Sequence, residues 1–302
     1  MSKGKSFISE IGKYFKENDA TSAMNQIMDI TRMLNLSEKR LFGEESRCNC
    51  KYSQLQVLQL LLLFPCFMIK NAFNYSASSL CGIAYCGKDV FYRFLSREDY
   101  DWRKILANIT TQLWRKTQAS TERDANTPVC LMVDDTDYPK RGIQTEMIGK
   151  VFSHVEHKMI LGFKGLFLGI TDGATQMLMD FCLVGEKGKK GTYNLKQKQL
   201  DARFKKERNE DSHTAKRIKE YDESKIKLMI EMIKRLISRK IHFDYILADS
   251  WFACAEVIRF VTSRHVKGHY LGMIKMGKTK YHYNRKDYTA KALVALFDHP
   301  KK

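Results

Sequence analysis

The stretch Val129–Gly142, VCLMVDDTDYPKRG, decides how the rest of the chain is read. Val129 to Val133 form an uninterrupted apolar run behind Thr127-Pro128, a pattern suited to a strand covered on both faces. Asp134 and Asp135 follow directly. In open α/β sheets ligands bind at the C-terminal edge of the strands, so adjacent carboxylates delivered there are candidates for metal or proton chemistry. The competing reading is a plain turn, because Asp-Thr-Asp-Tyr-Pro is rich in turn formers.

Downstream, β-compatible runs at Phe163–Thr171 and Gln176–Val184 flank Asp172-Gly173, which predicts a β-hairpin. Ile226, Met229, Ile230, Ile233, Leu236 and Ile237 recur at helical spacing. FDYILAD, Phe243–Asp249, is a second short apolar strand ending on a carboxylate; a helix over Trp251–Ser263 and a strand over His269–Met276 follow. Mixed polarity over Ile143–Leu161 gives no assignment. The order is strand, hairpin, helix, strand, helix, strand. It builds a mixed five-stranded sheet with flanking helices, in which the strands ending at Asp135 and Asp249 lie side by side and parallel. Two carboxylates brought together are costly without a cation between them, and hard oxygen donors suit Mg²⁺ or Mn²⁺.

Upstream, residues 1–120 read as an all-α region. Phe7, Ile8, Ile11, Tyr14 and Phe15, then Met24, Ile27 and Met28, recur at helical spacing. Ser53 is the expected N-cap of a stronger helix that Pro65 interrupts. From Gly87 onward Arg93, Arg97, Arg103 and Lys104 interleave with Phe91, Tyr92, Phe94, Tyr100 and Trp102, a mixture suited to phosphate and base contact, or to small helices with aromatic cores and solvated basic rims. The polar stretch within Ala119–Pro128 reads as a linker, so the expected domains are 1–120 and 126–302.

Charge sharpens the choice of partner. Over 302 residues, 52 Lys and Arg stand against 34 Asp and Glu, a formal net charge of +18, which points first to nucleic acid. Residues 186–240 alone hold 18 basic against 9 acidic side chains, with Lys187, Lys189 and Lys190 at their head. Eight scattered cysteines and an N-terminus without a leader pattern predict a reduced cytoplasmic setting. Neither Cys48-x-Cys50 nor Cys81-x4-Cys86 has a second pair at zinc spacing, and His154-x-x-His157 is not a zinc-protease pair. The apolar run Leu60–Ile69 is far shorter than the ~20 residues a membrane helix needs.

The strings VDDTDYPKRG and LADSWF, with this strand order, resemble the RNase H-like DDE transposases of insertion sequences, of the IS-four type, over about residues 126–302. The resemblance implies an α/β RNase H-like catalytic domain behind a DNA-binding helical region. It assigns Asp135 and Asp249 as catalytic metal ligands for Mg²⁺ or Mn²⁺, with Asp134 as the secondary candidate. Lys140 and Arg141 of the following turn, with Lys187, Lys189, Lys190, Arg93 and Arg97, are expected to contact DNA. The implied reaction is phosphodiester hydrolysis followed by strand transfer at terminal inverted repeats into target DNA, by a nucleoid-associated homodimer. The family's Glu, within a Tyr-x2-Arg-x3-Glu-x6-Lys signature, has no counterpart here, and Glu256 reads as surface. The expectation is thus a C-terminally truncated chain that binds DNA without transposing. A non-catalytic DNA-binding regulator and an RNase H-like nuclease of another family are the alternatives.

Overall fold

The computed structural model describes residues 20–46, 49–120 and 127–298. The expectations for Phe7 to Phe15, for Cys48 and for most of the linker lie outside them. The chain divides into two compact units, one running to Leu113 and including Ser212–Thr214, the other comprising Trp114–Asp211 and Ala215 onward.

The first unit contains α1 (Ala20–Met33), α2 (Glu38–Phe42), α3 (Gln54–Leu63), a 3₁₀ turn, α4 (Ser79–Ile83), α5 (Lys88–Leu95) and the start of α6 (Trp102–Ser120). Ser53 caps α3 in a reciprocal capping box with Gln56. Pro65 follows the helix end rather than kinking it. The aromatic residues of the basic block are mostly core: Phe91, Phe94 and Tyr100 are buried, and Phe94, Tyr100 and Trp102 meet edge to face. The small-helix reading of this block therefore holds for its rings, Tyr92 being the exposed exception.

In the second unit β1 (Cys130–Pro139) is longer than the sequence suggests. It does not stop at the paired acids, and Asp-Thr-Asp-Tyr-Pro is not a turn. The reason is β3 (Lys158–Thr171), whose antiparallel pairing with β1 continues to the Pro139↔Gly162 position and supplies backbone partners beyond Asp135. The unassigned stretch before it forms β2 (Gly149–Ser153), a sixth strand beyond the five expected, paired with the first residues of β3. β3 and β4 (Gln176–Val184) form the anticipated hairpin, closed by a four-residue loop in which the buried Asp172 carboxylate accepts the N–H groups of Ala174 and Thr175.

The Lys-rich segment carries α7 (Gln197–Asp201) and α8 (His213–Glu220), followed by α9 (Lys225–Ser238). Next come β5 (Tyr245–Ala248), α10 (Ala255–Val261) and β6 (His269–Gly272), the last shorter than expected. A separate ribbon of β7 (Lys280–Tyr283) and β8 (Lys286–Thr289) leads into α11 (Ala290–Asp298).

The main sheet runs β2-β3-β1-β5-β6, with β4 on β3; β1, β5 and β6 are parallel. Its core lies on one face. Leu228, Met229, Met232, Ile233 and Leu236 of α9 pack with Leu131, Val133, Leu166, Leu168 and Ile246 of the strands, and Val257 and Val261 of α10 join them. Leu271, Met273 and Ile274 are exposed beside this edge strand, and Leu293 is half-buried.

Gly162 stands where β3 exchanges β2 for β1, pairing with Gly149 and with Pro139. A Cβ there would fall 2.1 Å from the Tyr138 carbonyl oxygen, a backbone atom that cannot swing aside. Gly162→Ala should therefore destabilise the second unit by about 1–3 kcal/mol in urea unfolding.

Candidate active site

Residues 131 to 137 of β1 alternate between faces, as a pleated strand requires. Leu131 and Val133 are buried against α9, and Asp135 and Asp137 continue the same side; Met132, Asp134 and Thr136 take the other. β5 pairs with β1 only from Cys130↔Tyr245 to Val133↔Ala248. Asp134 and Asp135 are thus the first and second residues past the shared ladder on β1, and Asp249 the first past it on β5. Where the neighbouring strand ends, backbone crowding ends, and side chains at these positions gain room.

Asp134 and Asp249 line one open depression of about 580 Å³, floored by Met132, Leu247 and Leu271. Asp134 Oδ1 accepts the N–H of Asp135 at 2.8 Å, and Asp249 Oδ1 accepts the N–H of Trp251 at 2.9 Å. Asp249 also acts on the other face. Burial first, and then the negative charge of Asp249, push the Tyr270 phenol above its ordinary range, and Tyr270 aligns through Ile246 with Leu131 on the Asp135 side. The depression thus brings Asp249 together with Asp134, while Asp135 lies on the other side of β1.

Asp135 is bracketed by lysines. Lys225, the first residue of α9, brings Nζ to 2.6 Å from Asp135 Oδ2, while Lys164 Nζ lies 4.0 Å from the same oxygen. Lys164 is buried and makes its shorter ion pair, 2.8 Å, with Asp137. Burial raises the Asp137 carboxyl, but the bond from Lys164, the Ser153 hydroxyl and the positive charge of Lys164 outweigh it, so the group is held below the usual carboxylate range. Neither lysine was a candidate from sequence. Lys164 left one signal, a cation inside an otherwise apolar strand; Lys225 left none beyond its place at a helix start.

The oxygen donors of Asp134, Asp135 and Asp249 fit a hard divalent cation. Among the described residues, however, no three His, Cys, Asp or Glu side chains converge on one point. Glu256 is exposed on the first turn of α10, as expected for a surface residue.

Lys140 and Arg141 are exposed just past β1. Lys189 and Lys190 are exposed beside a second depression shared with Thr192 and Asn194, and Lys187 lies 3.5 Å from Asp222. Their loop is anchored by the buried Tyr193, whose hydroxyl donates to Asp222 and whose pKa burial and that carboxylate raise to about 12. Arg93 is exposed, but Arg97 is already paired, with Asp99 at 2.5 Å and Glu44 at 2.9 Å, and stacks on Tyr100. Neighbouring acids thus hold this guanidinium against its own unit, while its side chain stays 40% exposed. The described cysteines are free, and no described helix is long and apolar enough to cross a membrane.

Carboxylates at the ends of adjacent parallel strands, on a sheet extended by a hairpin, define an α/β protein with an acidic strand-end site. Residues 80–286, more than half of the chain, match the DDE superfamily endonuclease family, and the chain belongs to it. The match starts well ahead of residue 126, inside the first unit. Enzymes of this superfamily generally use divalent metal ions. No curated protein matches the chain. Among solved structures, the piggyBac transposase in its synaptic complex with hairpin DNA, determined by cryo-EM, is similar at 13% identity and a TM-score of 0.30, over 86% of this chain and 43% of that one. The chain thus spans less than half of that protein's length.

Folding lowers the Asp137 pKa, so its contribution to stability is present above the unfolded value of about 3.9 and is lost as pH falls through the lower folded value. Asp137→Asn should accordingly cost most stability at neutral pH, and the gap to the parent chain should close in acid, measured by urea unfolding at a series of pH values.

Proposed function

We propose that this chain is a metal-dependent DNA endonuclease of transposase type, acting on the phosphodiester bonds at the ends of a mobile element of the IS-four type. The single observation that carries the reading is the parallel adjacency of β1 and β5, which stops where Asp134, Asp135 and Asp249 begin, within a chain of the DDE superfamily.

In this reading Asp135 and Asp249 hold Mg²⁺ or Mn²⁺, and Asp134, lining the depression with Asp249, is the next donor. A bound divalent ion would polarise the scissile phosphate and lower the pKa of an attacking water. The protein's own share is orientation. Asp135 is fixed by strand pairing and by Lys164 and Lys225, and Asp249 by the turn that its own side chain closes. Lys140, Arg141, Lys187, Lys189, Lys190 and Arg93 would contact phosphates along the bound DNA, an arrangement consistent with the net charge of +18. A homodimer would bring two element ends together.

With Asp135 and Asp249 read as the ligands of one ion and no third acid assigned, we expect nicking to exceed strand transfer. The test is cleavage of DNA bearing the element's ends with Mg²⁺ or Mn²⁺. Nicking should be lost in Asp135→Asn and in Asp249→Asn while DNA binding persists. Sequence-specific binding with no metal-dependent cleavage would favour the regulator, and cleavage indifferent to DNA ends the nuclease of another kind. Efficient strand transfer by this chain would require a further acid, and Glu256→Gln would test that one.

Replacing Lys187, Lys189 and Lys190 by Ala should weaken duplex binding and flatten the log–log salt dependence by about 0.9 for each phosphate that is no longer neutralised. An unchanged affinity and slope would make this loop a solvated face.

A further inference from the structure

The two lysines beside Asp135 differ in one respect that matters. Lys164 lies within β3, its side chain is 4% exposed, and its ammonium is shared with Asp137, so it is a fixed charge. Lys225 opens α9 behind the N-cap Ser224, and its side chain is 21% exposed. Its ammonium makes two contacts at once: the ion pair with Asp135, and a cation–π contact 4.9 Å from the centre of the Trp251 ring. Trp251 is 45% exposed and stands two residues beyond Asp249, in the turn whose N–H the Asp249 carboxylate accepts. Lys225 therefore joins the β1 acid to the loop of the β5 acid, on the solvent side of Asp135.

We propose that Lys225 is the resident counter-ion of Asp135 and is exchanged for the divalent cation when the site is loaded, so that metal binding breaks the Lys225–Asp135 ion pair and changes the surroundings of Trp251. The inference rests on the reading of Asp135 and Asp249 as metal ligands. The oxygen bonded to Lys225 at 2.6 Å cannot at the same time turn the same lone pair to a metal ion, whereas Lys164, 4.0 Å away, does not occupy it. Lys164 cannot yield, because leaving Asp137 alone in the interior would strand a buried charge. Lys225 can, because its flexible stem reaches solvent from the end of a helix. Lys225 is thus a positioning residue. It holds the Asp135 carboxylate by their ion pair, and after exchange its ammonium is left beside an exposed indole, where a phosphate could take it.

The experiment is Mn²⁺ titration of the full chain, followed by the electron paramagnetic resonance of free Mn²⁺ and, in parallel, by tryptophan fluorescence. The proteins compared are the parent chain, Lys225→Met, Lys225→Gln, Asp135→Asn and Trp251→Phe, each checked for folding by circular dichroism. Removing a competing ion pair of this exposure should tighten Mn²⁺ binding roughly fivefold in both Lys225 variants. The parent chain should show a saturable fluorescence change at the same Mn²⁺ concentrations, absent from Trp251→Phe and from Asp135→Asn. Equal or weaker binding by both Lys225 variants overturns the exchange while leaving the metal site intact. A fluorescence change that survives in Trp251→Phe overturns it too. Mn²⁺ binding by none of the proteins overturns the metal-site reading itself, and the exchange falls with it. Binding by the Lys225 variants alone would overturn the exchange, because Lys225 would then block the site rather than yield it.

Discussion

β1 has to satisfy two partners of different length. On one side the antiparallel β3 accompanies it for its full course; on the other the parallel β5 leaves after Ala248. That mismatch creates the site. Up to Val133 the strand is sandwiched and apolar. Beyond it, one flank is still pinned by backbone hydrogen bonds while the other opens, and carboxylates occupy the opened positions. A strand pinned on one side holds its side chains at fixed spacing without rigid neighbours on the other, which on the proposed function is a suitable mount for groups that receive a cation and a phosphate.

The parallel pair is fixed from below. The Asp244 carboxylate accepts the N–H of Val129 at 2.7 Å, and the Asp244 N–H returns to the Val129 carbonyl, so the two strands start in register. α9 then lies across them, and its first residue reaches Asp135 while its body fills the core. One helix therefore does two things. Packing sets its axis, and the axis sets where the Lys225 ammonium falls. Asp180 and Arg235 add a second tie, between β4 and α9, at 2.7 Å.

The buried Lys164 is the costly element in this arrangement. Desolvating an ammonium is unfavourable by several kcal/mol before its partners are counted. Asp137 at 2.8 Å and Asp135 at 4.0 Å supply the compensation, with Ser153 completing the Asp137 side. In return, the carboxylate row on β1 sits against a positive charge that solvent cannot carry away. Asp135 is thereby held between a buried lysine and a partly exposed one.

Local chemistry alone determined much of this protein. The apolar run before Asp134, the period of α9, the Asp172-Gly173 hairpin and the strand ending at Asp249 are all written in neighbouring residues, because burial on one face imposes a period of two or 3.6. Together they sufficed for a mixed sheet with β1 and β5 parallel. Three things required the tertiary structure. The length of β1 depends on how far β3 accompanies it, and residues 143–157, which bring β3 there, carry no clean period. The fate of the aromatic rings near Tyr100 and of Arg97 depends on which helices and acids fold back on them; as bare sequence, a core ring and a base-stacking ring look alike. The pairing of Asp135 with Lys225 spans ninety positions. A charge has no period, and only folding decides which opposite charge it meets.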